Sequence, residues 1–177
     1  VFQLGLVFLL IFLNGYFVAS EFSLVAVRKT RIDELAKKNG QAKILQNALS
    51  DLDRYISATQ LGITIASLAL GWIGEPAIAH FLEPFFRFLP QEAALITSHT
   101  LAVTIAFTLI TFFHIVLGEL APKTLALQRS EVVALWVITP LVIFSRVFQP
   151  FIWALNQSGQ LVIRLFGIHN NGDGVNA

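Results

Sequence analysis

Residues 1–27 read VFQLGLVFLLIFLNGYFVASEFSLVAV, an apolar run interrupted by Asn14, Ser20, Glu21 and Ser23. About 20 apolar residues suffice to cross a bilayer core as a helix. The run is too long for the core of a signal peptide, and it ends in a basic cluster instead of a small-residue cleavage site. It therefore reads as a membrane span, and the composition agrees. Of 177 residues, 55% are hydrophobic and 13% charged, where a soluble domain carries about 25% charged residues. Mean hydropathy is +0.71. So few charges could not cover the apolar residues of a soluble fold, and the length fits one domain. The chain has no cysteine, which excludes disulfides and thiolate metal sites. It also has no methionine, so Val1 reads as a processing boundary. The net charge of +1 says nothing about partners, because its distribution is what matters.

Beyond the first run, residues 28–54 form a polar segment with seven basic residues: Arg28, Lys29, Arg31, Lys37, Lys38, Lys43 and Arg54. Asn39-Gly40 breaks it into a helical hairpin. Ile32, Leu35 and Ala36, then Ile44, Leu45, Ala48, Leu49 and Leu52, recur at helical spacing, so both halves are amphipathic. A second apolar run, Tyr55 to Ile73, is predicted to end at Gly74-Glu75-Pro76. The stretch from there to Gln91 mixes Phe81, Phe85, Phe86 and Phe88 with Pro84, Pro90, Glu83 and Arg87, a composition suited to an interfacial segment. A third run, Ala93 to Leu117, ends in Gly118-Glu119-Leu120-Ala121-Pro122-Lys123.

Orientation follows from basic residues near the span ends. The loop after the first run holds seven, and residues 74–98 hold one, Arg87. The loop 28–54 is therefore expected in the cytoplasm and the amino terminus outside. The last apolar run, Val132 to Leu155, leaves two readings open. Hydropathy makes it a fourth span, whereas Pro140, Arg146 and Pro150 favour a bent helix along the interface. The polar, glycine-rich tail 170–177 reads as a linker toward further domains.

Polar groups within a span usually face a bundle interior or a wet cavity. On a helical wheel Ser57, Gln60, Thr64, Ser67 and Gly71 share a sector of roughly 80°, as do Thr100, Thr104, Thr111, His114 and Gly118. Helix packing accounts for such stripes equally well, since small and hydroxylated residues let backbones approach and hydrogen-bond; His114 reads as a packing residue on this basis. The carboxylates Glu21 and Glu119 are costlier, at a few kcal/mol each for a helix-centre acid. Pairing with Arg28 and Lys123, respectively, is the simplest way to keep them. Pro122 has no N–H, so the Gly118 carbonyl loses its helical partner. A carboxylate, a bare carbonyl and nearby serine hydroxyls make an all-oxygen site for a hard cation such as Mg²⁺ or Na⁺. No hydrolase-type metal cluster or serine–histidine motif is present, so the chain is not expected to be an enzyme.

Asn14-Gly15-Tyr16-Phe17-Val18-Ala19-Ser20-Glu21, the basic loop from Arg28, Gln60-Leu61-Gly62 with Ser67, and Gly118-Glu119-Leu120-Ala121-Pro122-Lys123 resemble the transmembrane domain of the CNNM/CorC magnesium transporters, over essentially the whole chain. The resemblance implies an all-α membrane protein with three transmembrane helices per protomer and amphipathic juxtamembrane helices, assembled as a dimeric bundle in the cell membrane. It makes residues 1–169 the transporter domain and residues 170–177 the linker toward cytoplasmic CBS-type domains, through which alone ATP would bind. It also turns the last run into the interfacial helix and keeps the carboxyl terminus cytoplasmic. The implied activity is Mg²⁺ efflux coupled to Na⁺ entry, with Mg²⁺-sensing regulation of another transporter as the alternative. Its metal site would comprise Ser20, Ser23, Ser67, Gly118 and Glu119. Asn14, Glu21 and Gln60 would serve a coupling-ion site or the hydrogen-bond network. The expected partners are a second copy of the chain, the lipid bilayer and the two ions, with no nucleic acid.

Overall fold

The computed structural model describes residues 2–82 and 91–165, and every regular element among them is helical. Helix α1 (Phe2–Ala26) is the first apolar run. In hydrocarbon the backbone must satisfy its own hydrogen bonds, which leaves such a segment little choice but a helix. Arg28 is extended (φ −80°, ψ 113°) and opens the hairpin of α2 (Lys29–Ala36) and α3 (Gly40–Leu49). The break falls at Asn39, whose side chain accepts the Gln41 N–H at 2.9 Å and caps α3. Ile32, Ala42, Leu45 and Ala48 turn inward, while Lys29, Lys37, Lys38 and Lys43 stay exposed. Gln46 donates to Asp33 at 2.7 Å across the hairpin.

Helix α4 (Leu52–Leu82) runs through Pro76, so Gly74-Glu75-Pro76 does not end it. Proline costs an internal helix bond, but packing on both sides offsets that cost. A side chain at buried Gly74 would meet Ile110, Leu70 and Val7, and Ala77 is buried in the same cluster. The expected interfacial segment falls mainly on residues 83–90, outside the described residues. Helix α5 (Gln91–Phe113) leads into a π-helical segment, His114–Leu120, and then directly into α6 (Ala121–Gln128). The third run therefore neither stops nor unwinds at Gly118–Lys123. It widens by one residue per turn and continues.

The last apolar run divides at Phe148 into α7 (Ser130–Val147) and α8 (Gln149–Leu165). Pro150 becomes the second residue of α8, where its missing N–H costs no helix bond. Among the described residues, four helical stretches are long and apolar enough to cross a membrane: Gln3–Ala26, Leu52–Ile78, Val103–Gln128 and Ser130–Val147.

Helix α1 is the hub, packed most extensively on α4 and then on α6 and α7. Two apolar clusters are strung along it. One joins Val7, Leu10 and Ile11 to Leu70, Ala77 and Ile110. The other joins Phe17 and Leu24 to Ile32, Leu45, Ile138 and Leu141 of the hairpin and α7. Outward faces are apolar as well, with Trp72 81% exposed. A surface of that kind suits hydrocarbon better than water. Between the two clusters α1 and α4 carry Asn14 and Ser67, and a polar layer separates the apolar ones.

Candidate functional site

The π-helical segment has its cause in a proline just beyond its end, Pro122, the second residue of α6. In a regular α-helix the Pro122 ring would strike the Gly118 carbonyl four residues back, and no N–H would reach it. Widening the preceding turn removes the conflict, and the Ala121 N–H accordingly reaches the Val116 carbonyl five residues back. Such π segments recur at functional sites. Here the orphaned Gly118 carbonyl accepts a bond from Asn14 Nδ2 at 3.1 Å. Two glycines let α1 come this close. A Cβ on Gly15 would lie 3.0 Å from Pro122 Cγ and 3.1 Å from the Leu117 carbonyl, and one on Gly118 would lie 3.2 Å from Asn14 Nδ2.

The rest of the cluster follows from proton counting. Gly118 O can only accept, which fixes the Asn14 amide with its nitrogen toward Gly118 and its oxygen toward α4. Ser67 Oγ donates to that Asn14 Oδ1 at 3.0 Å. The single hydroxyl proton is thus committed. The 3.4 Å contact of Ser67 Oγ with His114 Nε2 therefore requires the proton on Nε2. The same nitrogen lies 3.9 Å from Glu119 Oε1. Asn14 is fully buried, the Glu119 side chain is 48% exposed, and the cluster runs from the interior to an accessible carboxylate. Three helical segments, α1, α4 and the π segment, meet in it.

Of the residues expected at a metal site, Ser67, Gly118 and Glu119 converge here, together with Asn14. Ser20 and Ser23 are buried on α1, further toward its basic end. They donate to the carbonyls of Tyr16 at 2.7 Å and Ser20 at 3.1 Å, and neither joins the hydrogen-bonded cluster. A serine whose proton is spent on its own helix still offers oxygen lone pairs. Gln60 lies elsewhere. With Asp53, Ser57, Thr64 and Asn156 it lines a cavity of about 640 Å³ between α4 and α8. Glu21 is half-buried and makes no ion pair with Arg28 among the described residues. Glu119 does not pair with Lys123, whose ammonium sits 4.5 Å from the Phe22 ring centroid. His114, read from its stripe as a packing residue, links Ser67 to Glu119. Its place on one helical sector with Gly118 was the available signal.

Chemically, the cluster offers one carboxylate, a carbonyl, an amide oxygen and one hydroxyl, with a single imidazole. No group of three or more His, Cys, Asp or Glu that could hold a metal ion occurs among the described residues. The donor set thus suits a hard cation held by neutral oxygens around one negative charge.

A family model described as the cyclin M transmembrane N-terminal domain matches residues 5–176. The chain is 42% identical to UPF0053 protein YugS of Bacillus subtilis over 171 residues, covering 95% of this chain and 39% of that protein. It is 45% identical to UPF0053 protein YhdT of the same organism over 167 residues, covering 94% and 36%. UPF0053 protein sll0260 of Synechocystis is 33% identical over 167 residues, covering 94% and 37%. The chain thus spans less than two fifths of the length of these curated relatives. With the match running over nearly all of its apolar helices, this chain belongs to the CNNM family, as a cyclin M transmembrane domain.

Proposed function

We propose that this multi-pass membrane domain transports Mg²⁺ by an efflux coupled to Na⁺ entry, and that it is not an enzyme. The observation that carries this reading is the polar layer of Asn14, Ser67, the Gly118 carbonyl and Glu119, held between two apolar clusters. Buried polar groups at such depth are costly and mark ion pathways. Mg²⁺ dehydrates reluctantly and takes octahedral oxygen ligands. Glu119 supplies the charge, Gly118 and Ser67 neutral oxygens, and Ser20 and Ser23 further hydroxyls from α1. Water completes the shell. Asn14, Glu21 and Gln60 are the candidates for the coupling ion.

Three spans per protomer fit the packing of α7. Glu131 near its start lies 3.6 Å from Arg31, and Ser145 near its end accepts from Arg54 Nε at 3.1 Å. Both partners belong to the basic segment 28–54, which the excess of lysine and arginine puts on the cytoplasmic side. A helix touching that segment at both ends lies along the membrane face. The third span then returns to the cytoplasm at Lys123.

Liposomes containing only this protein separate transport from regulation of another transporter. Mg²⁺ release driven by an inward Na⁺ gradient is the expected result. Mg²⁺ binding without any flux supports the regulator instead.

A further inference from the structure

In sequence, Glu119 and Lys123 stand four residues apart with the acid first, the order and spacing that favour an ion pair on a helix. The structure keeps them apart. The π-helical turn re-aims Glu119 toward His114, 3.9 Å away, and the Lys123 ammonium rests 4.5 Å from the centroid of the Phe22 ring. An aromatic face attracts an ammonium through its quadrupole. Phe22 is itself fixed, packed with Tyr16 and Ala19 against buried Ala126, Val133 and Val137. The ring therefore presents a rigid face to a flexible lysine.

We infer that Phe22 is a positioning residue that holds Lys123 off Glu119, so that the carboxylate is left free for the transported cation. The inference rests on Glu119 as a cation ligand and adds a competitor to it. An ammonium released from the ring lies within reach of the carboxylate and neutralises the one negative charge the site offers. Mg²⁺ must then displace it. Phe22 and Lys123 thus set how readily the site loads without either touching the metal.

Calorimetry with Mg²⁺ on purified variants of the whole chain tests this. Phe22→Leu removes the quadrupole and retains an apolar side chain. It should weaken Mg²⁺ binding about two- to five-fold, the strength of an exposed ion pair. Phe22→Tyr keeps the aromatic face and should bind like the parent. Phe22→Leu combined with Lys123→Gln should recover the affinity of Lys123→Gln alone. If the double variant stays as weak as Phe22→Leu, Phe22 acts by packing and the inference fails.

A second readout needs no Mg²⁺. Acylation of Lys123 by an amine-reactive ester, followed by peptide mass mapping, should be slower in Phe22→Leu than in Phe22→Leu/Glu119→Gln. Equal rates in those two proteins overturn the released ion pair. Retained Mg²⁺ binding in Glu119→Gln alone refutes Glu119 as the ligand, and the acylation comparison then still decides whether Lys123 reaches it.

Discussion

Glu119 carries the electrostatic case at the scale of single residues. It is the carboxylate of the cluster, and its charge is the main attraction for a divalent ion in a medium of low dielectric constant. Glu119→Gln preserves size and removes that charge. It is expected to abolish Mg²⁺ binding by calorimetry while the protein remains folded. Ser67→Ala removes a neutral oxygen that water can replace, so the loss of affinity should be smaller. That variant also deprives buried Asn14 Oδ1 of its donor. Leaving a buried acceptor unpaired costs about 1–3 kcal/mol, which should show as a lower melting temperature. Glu21→Gln is the informative comparison. Lost transport with retained Mg²⁺ binding assigns Glu21 to ion coupling, and unchanged transport removes it from the mechanism.

At the scale of elements the decisive feature is the π-helical segment His114–Leu120. It places three side chains or carbonyls that a regular helix would distribute differently: His114 toward Ser67, Gly118 toward Asn14, and Glu119 away from Lys123. Its cause is Pro122, whose ring and missing N–H are incompatible with the preceding α-turn. Pro122→Ala restores an N–H able to compete with Asn14 Nδ2 for the Gly118 carbonyl. The expected outcome is a helix of equal or higher melting temperature whose Mg²⁺ affinity falls several-fold. Unaltered affinity with raised stability would mean that the widened turn is not needed by the site. The hairpin of α2 and α3 plays the opposite part. Its buried Ile32 and Leu45 join the cluster with Ile138 and Leu141 of α7, anchoring the last apolar run to the basic face.

The scale of the whole molecule brings in the membrane and a second copy. Among the described residues four stretches have the length and apolarity to span, while the contacts of α7 with Arg31 and Arg54 favour the proposed three. Single cysteines in intact cells decide the arrangement. A cysteine at position 38 should be protected from an impermeant external reagent, one at 83 labelled, and one at 170 protected. Labelling at 38 with protection at 83 inverts the orientation, and labelling at 170 restores a fourth span. Three helices make too thin a bundle to enclose a polar pathway, so a symmetric dimer of six is proposed. Isologous contacts are the usual solution for homo-oligomers. The third span and the aromatic stretch 81–88 are the proposed contact surfaces, the latter lying mostly outside the described residues. A detergent-corrected mass of one chain, with no cross-linked pair, would remove the dimer.

Whatever depends on near neighbours along the chain and on the surrounding medium is legible in the amino-acid order. Twenty-odd apolar residues in hydrocarbon must be helical, so α1, α4 and the third run were legible, as was the hairpin broken at Asn39-Gly40. The orphaned Gly118 carbonyl was legible too, since it follows from the covalent chemistry of Pro122. How the chain answers those local demands depends on packing between helices distant in sequence. A proline or a Gly-Glu-Pro reads as a helix end, yet Gly74 and Ala77 are packed against neighbours from α1 and α5, and that burial carries α4 through Pro76. Pro122 could have unwound its helix, but Gly15 admits α1 closely enough for Asn14 to supply the missing donor, and a widened turn costs less than a broken one. The partners of Glu119 and Lys123 were likewise beyond sequence spacing. Four residues apart they suit each other, but the widened turn brings Glu119 to His114 and packing against α1 brings Phe22 to Lys123.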